Sequence, residues 1–229
     1  MRCVMLRITK MKKRLLLLTA AVAIGALLAL YGPTLLGFHR LQRHIDTAAQ
    51  ADDADGGPWP RVTDVCMGCH GVKGASLSQA YPSLAGQPAQ YVAAQLRAFA
   101  GGQRANPTMG PLAMTMSEAE ITRLAGYYAK QAPLDNRYFK PDARLRTKGE
   151  QWVTGGACAA CHGARLTGQA QFPRLAGQGY DYLLAQLDAF ATGSRREATG
   201  TMQRVAQAMS ADDRAAVATY LASLSPARQ

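Results

Sequence analysis

The chain is poor in acid: 15 Asp plus Glu face 26 Lys plus Arg, a formal net charge of +11, and no acidic residue precedes Asp46. Such a balance by itself points to an acidic partner. Its placement argues otherwise. Arg2, Arg7, Lys10, Lys12, Lys13 and Arg14 come before any acid, and from Asp52 onward 18 Lys plus Arg face 14 Asp plus Glu, a net of only +4. A nucleic-acid-binding surface is therefore poorly supported. Histidine is scarcer still, with only His39, His44, His70 and His162. The chain also lacks a convincing strand run, which leaves no βαβ frame for a thioredoxin-like dithiol.

Cysteine is sparse but patterned. Cys66-Met67-Gly68-Cys69-His70 and Cys158-Ala159-Ala160-Cys161-His162 are two copies of Cys-x-x-Cys-His, the pattern for covalent attachment of c-type haem. Thiols at i and i+3 share a helical face, where each can form a thioether to a haem vinyl group, and the next residue, His, reaches the iron. Zinc is the competing reading, but zinc ribbons separate their Cys pairs by about 15–20 residues and do not explain a histidine after both. Two haems are expected, and their four propionates would offset the +4 of the later chain. Cys3 receives no role.

Leu15 to Leu36 carries no charged residue, about the length needed to cross a bilayer. The cations before it place that end in the cytoplasm and the remainder outside the bacterial inner membrane, where c-type haem is attached. A cleaved signal, leaving a soluble periplasmic protein, is the alternative. Against it, the apolar run exceeds a signal core, and the small-x-small site Ala49-Gln50-Ala51 comes only after Arg40 and Arg43. Met11, just before Lys12, is an alternative start.

The soluble part is duplicated. Tyr81-Pro-Ser-Leu-Ala-Gly-Gln87 returns as Phe172-Pro-Arg-Leu-Ala-Gly-Gln178, and Tyr91, Gln95, Leu96, Phe99, Gly102 and Arg104 align with Tyr182, Gln186, Leu187, Phe190, Gly193 and Arg195. Apolar spacing predicts helices: one from Tyr91 to Phe99, stopped by Gly101-Gly102, its repeat stopped by Gly193, and a last helix in each copy led by Ser117 and Ser210 with Pro133 and Pro226 beyond. The fold class is all-α. The expected organisation is a basic segment 1–14, an anchor 15–38, a linker 39–57, a first domain 58–133, a connector 134–148 and a second domain 149–226. The connector is rich in Arg and Lys and is a candidate to touch propionates.

The second axial ligand decides between an electron carrier and a site open to small molecules. His39 and His44 lie outside the repeat, so methionine is the better candidate. Thr108-Met109 aligns with Thr201-Met202, and Met116 aligns with Met209. Met116 and Met209 directly precede the capping serines, where packing explains them. Met109 and Met202 read as loop residues with no helix to pack within, and are assigned as thioether ligands. The Pro82 and Pro173 carbonyls are placed to take the second ring N–H of His70 and His162. Leu84 and Leu175 are expected against the porphyrin, with Tyr81 or Phe172 as further candidates. Arg104 and Arg195 are either propionate partners or solvated.

The order Cys-x-x-Cys-His, aromatic-Pro-x-Leu-Ala-Gly-Gln, Tyr-x-x-x-Gln-Leu, Gly-x-Arg, Met, Ser-led helix, all twice over residues 62–224, resembles the di-haem cytochrome c4 family. The resemblance implies two tandem class I-like cytochrome c domains with His/Met low-spin haems facing one another across the domain boundary. It implies Cys66, Cys69, His70 and Met109 around one haem c, and Cys158, Cys161, His162 and Met202 around the other. It further implies periplasmic electron transfer rather than catalysis, from a quinol-cytochrome c reductase or a dehydrogenase toward a haem-copper terminal oxidase. A cytochrome subunit of a membrane-bound dehydrogenase is the alternative, and a di-haem peroxidase a weaker one. Two departures from the family pattern stand out: the prolines of Gly57-Pro-Trp-Pro60, which should shorten or break the helix leading into the first haem motif, and the retained anchor.

Overall fold

A computed structural model describes residues 2–57, 61–156 and 158–226, with side chains from Lys13 onward except Leu15. These residues form ten α-helices and one 3-10 turn. Among them there is no strand, only an isolated antiparallel bridge between Gln169 and Phe172. The fold is all-α, and the chain divides into two compact units at Asp55 and Gly56.

The first unit is a single helix, α1, Arg2–Ala54, about 80 Å long at 1.5 Å per residue. Its large apolar side chains from Leu16 to Phe38 are exposed, and the helix is long and apolar enough to cross a membrane. The segment expected as a linker from residue 39 continues the helix as far as Ala54. Nothing in Leu41 to Ala54 stops it: the stretch holds no Gly or Pro, and Gln42 Nε2 bonds Asp46 Oδ1 one turn on at 2.9 Å. It ends where Gly56 and Gly57 take φ of 104° and 86°. The proline break expected at Pro58-Trp59-Pro60 lies outside the described residues.

The second unit repeats one helical order. The first copy has α2 (Asp64–His70), the 3-10 turn Val72–Gly74, α3 (Ala89–Ala100), α4 (Met109–Met114) and α5 (Glu118–Lys130). The second has α6 (Ala143–Gly155), α7 (Cys158–His162), α8 (Tyr180–Thr192), α9 (Thr201–Gln207) and α10 (Ala211–Ser223). Both last helices open on a capping box, Ser117 with Glu120 and Ser210 with Asp213. α3 stops at Gly101, and α8 at Gly193 in the left-handed region with φ 75°.

Each copy has its own core. In the first, Val92, Ala93 and Leu96 of α3 pack with Ile121, Leu124, Ala125 and Tyr128 of α5 and with Cys66. In the second, Leu183 and Leu187 of α8 pack with Val217, Ala218, Leu221 and Ala222 of α10 and with Val153 of α6. α6 starts at Ala143, inside the segment expected as connector, because Asp142 caps it by accepting from the Leu145 N–H at 2.8 Å. Two of its basic residues reach α10: Lys148 Nζ meets Asp212 at 2.6 Å and Asp213 at 2.7 Å, and Arg146 Nε donates to Ser223 Oγ at 3.2 Å.

Candidate haem-binding sites

The two Cys-x-x-Cys-His motifs fold as α2 and α7, and in each a glycine with positive φ follows directly, Gly71 at 77° and Gly163 at 83°. The turn lets the chain come back so that a proline carbonyl meets the histidine ring. His70 Nδ1 lies 2.8 Å from Pro82 O and His162 Nδ1 lies 2.9 Å from Pro173 O. A carbonyl only accepts, so the proton sits on Nδ1 and leaves the lone pair of Nε2 for a metal. Both rings are buried, with 8% and 6% exposure. Burial lowers both pKa values against the raising effect of the proline carbonyl, which keeps the rings neutral, the form that binds iron.

Cys66, Cys69, Cys158 and Cys161 form no disulfide, which leaves all four sulfurs to the haem vinyl groups. Burial pushes the Cys66 and Cys158 thiols up from their ordinary range. Among the described residues no group of three or more His, Cys, Asp or Glu is arranged to hold a metal ion. The two Cys pairs therefore do not converge on one four-ligand zinc site.

The other expected residues gather copy by copy. Leu84 and Met109 pack on the first core, of which Cys66 is part, while Leu175, Met202 and Cys158 pack on the second. A thioether, an imidazole with a free Nε2, two thiols one helical turn apart and an apolar wall are the donor set and lining that a covalently held haem requires. Met209 is buried and Met116 half-buried, each in the core of its own copy. Phe172 lies edge-on to the His162 ring with centroids 6.1 Å apart, whereas Tyr81 is half exposed.

Two expectations need correction. Met109 and Met202 are not in loops but in the first turns of α4 and α9. Gly110-Pro111 and Gly200 adjoin the two methionines, yet proline is tolerated in a first helical turn, and Gly200 serves as a left-handed N-cap with φ 65°. Side chains complete both starts: Asn106 Oδ1 accepts the Met109 N–H at 2.8 Å and Glu197 Oε1 accepts the Met202 N–H at 3.1 Å. Second, Arg104 and Arg195 are not free in solvent but half-buried, and both bond across to the other copy. Arg104 donates to Gln95 Oε1 of its own copy, and to Tyr182 Oη and Gln186 Oε1 of the other at 3.1 and 2.9 Å. Arg195 mirrors it onto Gln186, Tyr91 and Gln95.

The contact between the copies also uses residues given no role from sequence. Gln178 Oε1 accepts the Ser83 N–H at 2.7 Å and its Nε2 donates to Ser83 O at 3.0 Å. Gln87 makes the same pair with Arg174, accepting its N–H at 2.9 Å and donating to its carbonyl at 3.0 Å. The signal in the sequence was the glutamine closing both Leu-Ala-Gly-Gln motifs. Arg174 itself is only 2% exposed, and its guanidinium donates to Ala176 O, Ser83 O and Ala85 O. Burial brings its pKa down to about 10, so it remains charged at neutral pH.

Comparison with known proteins matches both copies. The family described as "Cytochrome c" covers residues 147–225 and that described as "Cytochrome C oxidase, cbb3-type, subunit III" covers residues 58–127. The chain is 37% identical over 193 residues to a cytochrome c4 of Thiocapsa roseopersicina, which covers 80% of this chain and 98% of that one. It is 39% identical over 175 residues to a thiosulfate dehydrogenase electron acceptor of Thiomonas intermedia, covering 71% of this chain and 81% of the other. Its fold matches the crystal structure of reduced recombinant cytochrome c4 from Pseudomonas stutzeri with a TM-score of 0.67 at 29% identity, over 77% of this chain and 98% of that chain. It also matches a thiosulfate dehydrogenase from Marichromatium purpuratum with a TM-score of 0.64 at 35% identity, over 71% of this chain but only 37% of that one. Identity of this order along nearly the whole of a cytochrome c4, on the same fold, means that the chain belongs to the di-haem cytochrome c4 family, an electron-transfer protein with two covalently bound haem c groups.

Proposed function

We propose that this protein is a membrane-tethered periplasmic electron carrier, with one haem held by Cys66, Cys69, His70 and Met109 and the other by Cys158, Cys161, His162 and Met202. The observation that carries the reading is the duplicated arrangement of a buried histidine, its Nδ1–H fixed on a proline carbonyl, and a methionine packed on the core of the same copy, where a haem-motif cysteine also lies. When bound, each haem iron takes up and releases one electron. Pro82 and Pro173 orient the imidazoles, Leu84 and Leu175 exclude water, and the Met109 and Met202 thioethers would favour the reduced iron. With a histidine and a methionine of the protein for each haem, no ligand site would be left for peroxide.

The expected boundaries follow from this reading, with the anchor at 15–38 and the haem domains at 58–133 and 149–226. The exposed apolar stretch of α1 supports retention in the inner membrane, which raises the effective concentration of neighbouring redox partners. Relatives named as thiosulfate dehydrogenase electron acceptors favour a dehydrogenase as the donor, and a haem-copper terminal oxidase is the proposed acceptor. The likeness to a thiosulfate dehydrogenase chain supports a second reading, a cytochrome subunit of a dehydrogenase complex. Purification in mild detergent separates the two, since a stoichiometric catalytic partner favours the subunit.

The ligands are tested by a redox titration of the purified protein with a haem count and absorption spectra. Two haems per chain are expected, with a methionine-to-iron charge-transfer band in the oxidised protein. Met109→Ala and Met202→Ala should each remove about half of that band and leave the haem count at two. A wild-type protein without the band would sink the assignment.

A further inference from the structure

Each copy reaches across and grips the peptide unit that holds the other copy's histidine. The Pro82–Ser83 peptide has two polar atoms. Its oxygen accepts His70 Nδ1–H at 2.8 Å, and its N–H donates to Gln178 Oε1, from the second copy, at 2.7 Å. The Pro173–Arg174 peptide is arranged alike: its oxygen accepts His162 Nδ1–H at 2.9 Å, and its N–H donates to Gln87 Oε1, from the first copy, at 2.9 Å. Ser83, Gln87, Arg174 and Gln178 are all buried, with exposures of 8%, 3%, 2% and 2%, so water does not compete for these bonds.

From this geometry we infer that Gln178 tunes the reduction potential of the first-copy haem and Gln87 that of the second-copy haem, each acting through the peptide that holds the opposite histidine. The inference rests on His70 and His162 being iron ligands. An amide whose N–H is already donating carries more negative charge on its oxygen, because hydrogen bonds in a chain polarise one another. A more negative Pro82 oxygen draws the Nδ1 proton of His70 harder and gives the imidazole more anionic character. The ring becomes a stronger donor at Nε2, which stabilises the ferric over the ferrous iron and lowers the potential. The glutamines bond the backbone beside the prolines rather than the histidine rings; they are positioning residues. The arrangement also links the redox balance of each haem to the docking of the two copies, because undocking removes both acceptors at once.

The test uses the full chain with both haems. Met109→His and Met202→His backgrounds each move one haem to a much lower potential and so identify which redox wave belongs to which copy. Gln178→Leu should raise the first-copy potential and leave the second unchanged; Gln87→Leu should do the reverse. The expected size is about a threefold change in the reduction equilibrium of the affected haem, roughly 30 mV at 59 mV per tenfold for one electron. The His70 or His162 Nδ1–H proton resonance of the same haem should move upfield as its hydrogen bond weakens. Tyr91→Phe, which removes a bond between the copies to Arg195 without touching either peptide, should shift neither haem. Equal shifts of both haems in either glutamine variant, shifts in the variant's own copy, or a Tyr91→Phe effect of the same size would each overturn the relay. The wild-type haem count and charge-transfer band judge the ligand assignment separately, so a missing crossed shift in a protein with normal spectra counts against the relay alone.

Discussion

Gly86 and Gly177 occupy equivalent positions with φ of 69° and 66°, a conformation that costs an L side chain about 1–2 kcal/mol. Each N–H donates to a carbonyl of the copy's last helix, Gly86 to Tyr128 O at 2.9 Å and Gly177 to Leu221 O at 3.0 Å. The loops therefore cannot relax without losing that bond. Their surroundings differ, since an added Cβ falls 3.1 Å from Pro133 Cδ at Gly86 but 2.6 Å from Pro226 Cδ at Gly177. Gly86→Ala should destabilise by about 1–2 kcal/mol, mainly through the backbone, and Gly177→Ala by about 2–4 kcal/mol because overpacking adds to it. Chemical denaturation of the two variants checks the order, and equal losses would mean that φ alone sets the cost. The motif around these glycines was visible as a repeat. What it does was not, because the partners of the glutamines lie roughly ninety positions away and no local rule of spacing reaches them.

Helix starts were legible where the side chains that make them sit within one turn, as with Ser117 and Glu120 or Ser210 and Asp213. They were hidden in α4 and α9, whose caps come from Asn106 and Glu197 across a bend, with glycine and proline in between. The pair α6 and α10 tests how such helices hold together. Gly149 sits where they cross, and a Cβ there would collide with the backbone oxygen of Ala216. Backbone cannot swing aside as a side chain can, so Gly149→Ala should force the helices apart and cost about 3 kcal/mol or more, seen as loss of helicity and a lower midpoint of denaturation. The same pair carries a pH-dependent contact. Hydrogen bonds from Lys148 and Ser210 hold the Asp213 carboxyl well below the usual carboxylate range. A depressed folded pKa means that the contribution is fully present above the unfolded value of about 4 and is lost as pH falls through the folded value. Acid unfolding of wild type should therefore steepen below about pH 4, and Asp213→Asn should flatten that part of the profile; an unchanged profile would show that the contact adds nothing.

Across the unit from Gly56 onward, duplication is the source of the contact between copies: one sequence pattern presented twice can grip itself with the same residues from both sides. Arg104 and Arg195 show the consequence. Gln95 Oε1 accepts from Arg104 at 2.7 Å and from Arg195 at 3.0 Å, while Gln186 Oε1 accepts from Arg104 at 2.9 Å and from Arg195 at 2.8 Å. The guanidiniums also lie 4.6 Å from the ring centroids of Phe99 and Phe190 in their own copies. Read from sequence, each arginine had only solvent or a propionate to choose between, because the docking of the copies was not in view. The shared acceptors make a definite forecast. Removing either arginine alone relieves the repulsion between two like charges and leaves the other holding both amide oxygens, so Arg104→Ala and Arg195→Ala should each have a muted cost. Removing both strips every donor of this ring from Gln95 and Gln186, which are half-buried in the contact, and acceptors shielded from water without a partner are costly. The double variant should therefore lose more stability than the two singles added together, by about 1 kcal/mol in a four-variant cycle measured by denaturation. Strict additivity would mean that the two arginines act on independent surfaces and that the copies are held together elsewhere.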